Sequence, residues 1–177
     1  ATNKDYEKFD GAITFNKTTV QEPEHFLILG WNSQTSIMLE NLNEYVAPDS
    51  SVTIFLDYDV NENDFMDIKL NNIEMSVRKG NFKLRNTLEK ISYNDFSCVI
   101  IQGNTNVEIE ESDSISISIL IHLREIRELS STHFSILTEL FDSKNHELIE
   151  SIKSDDFILS DRILSTAVAQ VSENKLL

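Results

Sequence analysis

The sequence predicts an α/β fold built on a parallel sheet of about six strands, with helices on both faces. Short apolar runs end in a glycine or an acidic residue, and segments with helical spacing separate them. Continuous apolar runs are typical of strands buried on both faces, and strands that alternate with helices pair in parallel through right-handed crossovers. This order indicates a Rossmann-like doubly wound sheet.

The chain length fits a single domain of this kind, because 177 residues can bury a sizeable core but cannot form two full domains. Residues 1–24 are mostly polar and are predicted to be an N-terminal linker or extension. The Rossmann-like domain is therefore predicted to cover 25–177.

Four strands are predicted in the first part of that domain. They are predicted at 26–29, 52–56, 75–77 and 98–101, and they end at Gly30, Asp57, Gly80 and Gly103. Between the first two strands, apolar residues recur at helical spacing from Ile37 to Val46, after a cluster of N-cap formers and before Pro48. A second helix is predicted around 84–91.

The segment that follows the fourth strand carries two competing patterns. Ile115, Ile117 and Ile119 alternate with serines, which is typical of a half-buried strand. Ile115, Ile119 and Leu123 also share one helical face, and the residues beyond 120 have a helical composition. Because a helix must follow a parallel strand here, we predict a helix over 112–129.

Three further elements complete the predicted fold. A strand is predicted at 134–140, a short strand at 156–159 and a final helix at 161–173. The helices at 112–129 and 161–173 carry apolar residues on more than one side, so we expect self-association into at least a dimer.

The charge of the chain limits its partners. With 15 basic and 30 acidic residues, the net charge is −15 and the pI is about 4.5. Such a chain repels phosphate backbones, so nucleic-acid binding is not expected. Cys98 is the single cysteine and lies in a predicted buried strand, which excludes a disulfide framework and a Cys-based zinc site. No phosphate-binding loop or nucleophile elbow is present, and we do not expect an enzyme.

A nucleotide site is predicted at the carboxyl ends of the strands. Dinucleotide-binding turns carry three glycines as GxGxxG, whereas the run from Gly30 to Thr35 keeps only the first. The Asn32 side chain stands where the second glycine permits close backbone approach, so a bound nucleotide and an empty crevice are both open at this point. NAD or another adenine nucleotide would contact Gly30, Trp31, Asn32, Ser33, Asp57 and Gly103.

Carboxylates that follow the second strand offer a different ligand. Asp57 and Asp59 are the candidate metal ligands, since calcium prefers several carboxylate oxygens. The chain lacks a calcium-binding DxDxDG loop, so coordination would have to be assembled from separate segments.

Several separated segments resemble one family. The strand and turn at 25–32 with its Gly30-Trp31 pair, the helix at 38–50 with its Ala47-Pro48 exit, the strand at 95–101 and the segment at 154–173 resemble the RCK-like domains of CASTOR/POLLUX-type ion channels, most closely the second such domain of a subunit. The turn differs, because Asn32, Ser33 and Gln34 stand where the plant proteins carry basic residues.

The resemblance implies a cytosolic regulatory domain of a membrane protein. Such a domain packs with its copies into a gating ring beneath a cation pore, and it couples binding of a nucleotide or calcium to gating. The pore domain would belong to the same or a longer chain. Two alternatives are a structural ring module without a ligand and a small NAD-dependent oxidoreductase of Rossmann fold.

Overall fold

The computed structural model describes residues 22–57, 60, 65, 68–142, 145 and 158–159. Its strands are β1 (His25–Leu29), β2 (Ser50–Leu56), β3 (Ile73–Lys79), β4 (Cys98–Ile101), β5 (Ser135–Leu140) and β6 (Ile158–Leu159). Its helices are α1 (Thr35–Tyr45), α2 (Arg85–Leu88) and α3 (Ile109–Ser130).

The strands form one parallel sheet in the order β3-β2-β1-β4-β5-β6. The chain therefore starts in the middle of the sheet, moves to one edge and then returns to build the other half. This is the strand order of a doubly wound Rossmann sheet, and the predicted fold class is confirmed.

Alternate side chains of the central strands enter two separate cores. Phe26 and Ile28 of β1 point to the face that α1 covers, whereas Leu27 and Leu29 point to the face that α2 and α3 cover. All four side chains are buried, which explains why β1 is a continuous apolar run rather than an alternating one.

The ambiguous segment after β4 is helical, so the predicted helix over 112–129 is confirmed. Leu120 and Leu123 of α3 are buried against the sheet, and Ser112 and Ser116 lie buried one helical turn apart. The serines that produced the alternating pattern thus divide between the buried and exposed sides of a helix. Tertiary packing decides the conformation, because a strand here would leave one face of the sheet uncovered.

The predicted helix around 84–91 is shorter in the structure, where α2 ends at Leu88. Residues 90 and 91 continue as turns, with backbone hydrogen bonds to Thr87 and Leu88. The Tyr93 hydroxyl donates to the Leu88 carbonyl over 2.9 Å, and the Tyr93 ring stacks on Phe134 at 4.9 Å between centroids. Burial raises the pKa of that hydroxyl, and the Leu88 carbonyl that it contacts also accepts the backbone amide of Ile91.

The other predicted strands are present, whereas the last predicted helix and most of the predicted linker lie outside the described residues. The strands predicted at 52–56, 75–77, 134–140 and 156–159 match β2, β3, β5 and β6 with shifted ends. The predicted helix at 161–173 and residues 1–21 of the predicted linker lie outside the described residues, so the boundary at residue 24 stays a prediction. Among the helices that the structure describes, none combines the length and hydrophobicity that crossing a bilayer requires.

The two faces of α3 give a direct test of this packing. Leu123→Ala should lower the free energy of unfolding by about 2–5 kcal/mol, because Leu123 is fully buried between α3 and the sheet. Leu129→Ala is the matched control in the same helix, and it should change stability by less than about 0.5 kcal/mol because Leu129 is 75% exposed. Urea denaturation measures both values. Equal losses for the two variants would contradict the placement of α3.

Candidate functional site

The carboxyl ends of β1 and β4 meet at the point where the strand order reverses. The crossover from β1 to β2 runs through α1 on one face, and the crossover from β4 to β5 runs through α3 on the other. Adjacent crossovers on opposite faces leave a crevice between the two strands, and ligands of open α/β sheets bind there. Gly30, Asn32 and Gly103, three of the predicted site residues, meet at this crevice.

Gly30 allows the chain to leave β1 close to the end of β4. Its φ is +99°, and a Cβ atom at this position would lie 3.2 Å from the carbonyl oxygen of Gln102. Any other residue would be strained here by its conformation and by this contact. The first glycine of the dinucleotide-type turn therefore keeps its structural role.

The Asn32 side chain extends from the turn into the crevice. Its Nδ2 donates to the Gly103 carbonyl at 3.0 Å and to Glu139 Oε2 at 2.7 Å, and its Oδ1 accepts the Gln34 amide at 2.9 Å. Glu139 Oε2 also accepts the Gly103 amide at 2.9 Å. Asn32 is 4% exposed and Glu139 is 1% exposed, so this side chain fills the space between the turn, β4 and β5.

Thr35 completes the same set of contacts at the start of α1. Its Oγ1 accepts the Asn32 amide at 2.9 Å and donates to Gln102 Oε1 at 2.7 Å. The Thr35 amide donates to the Asn32 carbonyl at 3.1 Å. We refer to the joined residues as the Asn32 network: Asn32, Thr35, Gln102, Gly103 and Glu139.

The other two predicted residues of the turn do not enter the crevice. Trp31 is buried in the core under α1, where its ring lies 4.6 Å from the ring of Phe65. Ser33 is exposed at the start of the turn that leads into α1. The order of residues in a turn predicts which of them are adjacent, but it does not predict which side chains point inward.

Asp57 lies at the same edge of the sheet, directly after β2. Its Oδ2 is 2.8 Å from Lys83 Nζ, and its side chain is 6% exposed. Within the part of the chain that the structure describes, its Oδ1 is buried and has no hydrogen-bond partner. Asp57 therefore offers one acceptor that a ligand hydroxyl could satisfy.

Four of the residues at this edge were not predicted as site residues, and three of them, Thr35, Gln102 and Glu139, belong to the Asn32 network. Lys83 lies in the loop after β3, and its partner Asp57 follows a different strand. Glu139 is the only charged residue of β5 and precedes its last residue, which is the one signal in the sequence that could have identified it.

One acidic residue after β4, Asp113, uses its carboxylate to hold the fold together. Asp113 of α3 is buried, and its two carboxylate oxygens accept the backbone amides of Phe141 and Asp142 at 2.9 and 3.0 Å. Asn145 donates to the same carboxylate at 2.7 Å. This carboxylate fixes the exit of the chain from β5.

The geometry gives no support to a metal site in the described residues. They contain no group of three or more His, Cys, Asp or Glu side chains that could hold an ion. Asp57 is paired with Lys83, and Asp59 lies outside the described residues. Calcium binding by these two aspartates stays a prediction. Cys98 is buried inside β4, as predicted.

The crevice fits a dinucleotide at one end only. The Asp57 oxygen without a partner suits a ribose hydroxyl, which is the role of the acidic residue at the end of the second strand in dinucleotide-binding sheets. The other end does not suit a pyrophosphate, because Asn32 fills the space and the amides of Asn32, Gln34 and Thr35 are already bonded within the turn.

Curated proteins similar to this chain are plant ion channels. The chain is 29% identical over 194 residues to the probable ion channel POLLUX of Oryza sativa subsp. japonica, covering 89% of this chain and 20% of that protein. It is 26% identical over 191 residues to the ion channel CASTOR of Lotus japonicus, covering 88% of this chain and 22% of that protein. The resemblance to CASTOR/POLLUX-type ion channels is confirmed, although the chain spans only about a fifth of the length of these relatives. No protein-family model matches it.

Solved structures with a similar fold include channel domains. The human SLO3 gating ring matches with a TM-score of 0.54 and 10% identity, over 77% of this chain and 24% of that chain. The GsuK channel bound to NAD matches with a TM-score of 0.51 and 14% identity, over 83% of this chain and 24% of that chain. At these identities the similarity shows the fold alone.

Proposed function

We propose that this chain is a regulatory domain of a CASTOR/POLLUX-like cation channel. The observation that carries the proposal is the similarity to plant ion channels over 88–89% of the chain, on a doubly wound sheet like that of solved channel domains. In this proposal the domain is the cytosolic part of a membrane protein. It assembles with its copies into a ring, and the ring acts on a pore formed by another part of the same or a longer chain.

The outer surface of α3 supports self-association. Three large apolar side chains of this helix are exposed: Ile109 at 49%, Ile121 at 47% and Leu129 at 75%. These side chains would be removed from water if another protein surface covered the helix. A second copy of the domain is the partner that a ring requires.

The oxidoreductase alternative has less support. Hydride transfer needs a nicotinamide cofactor anchored by its pyrophosphate, and the turn that would hold this group uses its own amides internally. The curated relatives are named as ion channels.

Deleting the domain from the full-length channel tests the proposed role. In planar-bilayer recordings, removal of residues 25–177 should change the open probability several-fold and leave unitary conductance and ion selectivity unchanged, because a regulatory domain acts on the pore without lining it. Asp95→Ala, an exposed change in the same domain, is the control and should record like the wild type. Unchanged gating after the deletion would contradict a regulatory role. A parent gene that encodes no pore helices would also contradict a regulatory role.

A nucleoside is the ligand that one specific observation favours. A buried carboxylate oxygen without a donor is costly, and Asp57 Oδ1 is such an atom at the edge of the sheet where ligands bind. A ribose hydroxyl would supply the missing donor. Lys83, which is 39% exposed, would keep its ion pair with the other carboxylate oxygen of Asp57.

Adenosine and 2′,3′-dideoxyadenosine differ only in the hydroxyls that Asp57 would bind. In NMR titrations, adenosine should bind the wild type about 1–3 kcal/mol more tightly than the dideoxy compound, and Asp57→Ala should remove this difference. Asp95→Ala removes the same charge at an exposed site and should preserve it. Equal binding of the two compounds by the wild type, or no binding of either, would contradict the nucleoside proposal and leave a structural ring module.

A further inference from the structure

The position of Asn32 matches that of the second glycine in a dinucleotide-binding turn. Counting from Gly30, the fingerprint places its second glycine two residues later, where the missing side chain lets the pyrophosphate approach the backbone. In this chain the residue there has a side chain, and that side chain points into the crevice rather than into solvent. Both hydrogens of its amide are donated, to Gly103 and to Glu139.

The hydrogen-bond donors that would bind an anion are also engaged. An anion at the start of a helix is held by backbone amides that lack partners. Here the Asn32 amide donates to Thr35 Oγ1, and the Gln34 amide donates to Asn32 Oδ1. A pyrophosphate would have to break both bonds before it could use these amides.

The charge behind Asn32 acts in the same direction. The Glu139 carboxylate lies 2.7 Å from Asn32 Nδ2 and is 1% exposed. An anion that displaced the Asn32 amide would leave this carboxylate without one of the two donors that the described residues supply, and it would face the negative charge of Glu139 in a poorly solvated site. Steric filling, hydrogen bonding and charge therefore all disfavour a phosphate group at this position.

We propose that the Asn32 side chain, held by Glu139 and Gly103, is a built-in occupant of the pyrophosphate position and excludes dinucleotides from the crevice. Asn32 is then the residue that determines the ligand class of the site. The crevice accepts a group that binds at Asp57, and it rejects ligands that need the turn between β1 and α1. The inference rests on the contacts of Asn32 and does not depend on the channel role.

Removal of the occupant should create a dinucleotide site. We compare NAD binding to the wild type, Asn32→Gly, Glu139→Gln and the double variant, using calorimetry and thermal shift on the intact chain. The wild type and Glu139→Gln should show no binding of NAD at about 1 mM, a concentration that detects even weak binding. Glu139→Gln should behave like the wild type because a glutamine keeps an acceptor for the Asn32 amide. Asn32→Gly should bind at least about tenfold more tightly than the wild type, and the double variant more tightly still, because it also lacks the charge.

Three results for NAD binding would contradict the role proposed for Asn32. NAD binding by the wild type, with NMR shift changes at the amides of residues 30–35, would overturn the proposal without any variant. A folded double variant that does not bind NAD would overturn it as well. If Asn32→Gly does not fold, Asn32→Ala still removes the occupant and should gain affinity for NAD, and equal affinity of this variant and the wild type would count against the proposal.

Discussion

The buried carboxylate of Glu139 is the feature on which the arrangement of the crevice depends. It lies near the end of β5 and accepts the amide of Gly103 and the side-chain amide of Asn32 through one oxygen. A charge in this position is tolerated only when hydrogen bonds compensate for lost solvation. The carboxylate thereby joins the turn after β1, the end of β4 and the end of β5, which are distant in sequence and adjacent only in the folded sheet.

The two ends of the crevice consequently differ in what they can bind. At the switch point the chain satisfies its own polar groups, as a ligand would in a dinucleotide-binding protein of the same fold. At the end of β2, Asp57 keeps a buried oxygen without a partner in the described structure. A shared fold therefore does not determine the ligand, because a single side chain in one turn changes which groups are available. In the proposed regulatory domain, this arrangement would favour recognition at the ribose end over anchoring by phosphate.

The sequence predicted the elements of the fold far better than the inside of the crevice. Apolar runs such as Phe26–Leu29 identify buried strands directly, and the logic of a parallel sheet resolved the alternating segment of α3 in favour of a helix. The end of α2 was missed because the apolar spacing continues to Ile91, whereas the backbone hydrogen bonds change to a turn pattern after Leu88. Glu139 and Lys83 were missed for a different reason: their partners lie 36 and 26 residues away. Local patterns carry no information on such pairs.

Hydrogen exchange of the Asn32 side-chain amide tests the central claim most directly. In the ligand-free protein, both Nδ2 hydrogens are donated inside a buried site, so they should exchange with solvent on the order of 100-fold more slowly than those of the exposed residue Asn81. Nuclear magnetic resonance of the labelled chain resolves the two side chains. Slow exchange at Asn32 is the result that the account predicts, and exchange as fast as at Asn81 would show that the crevice is open and would contradict it.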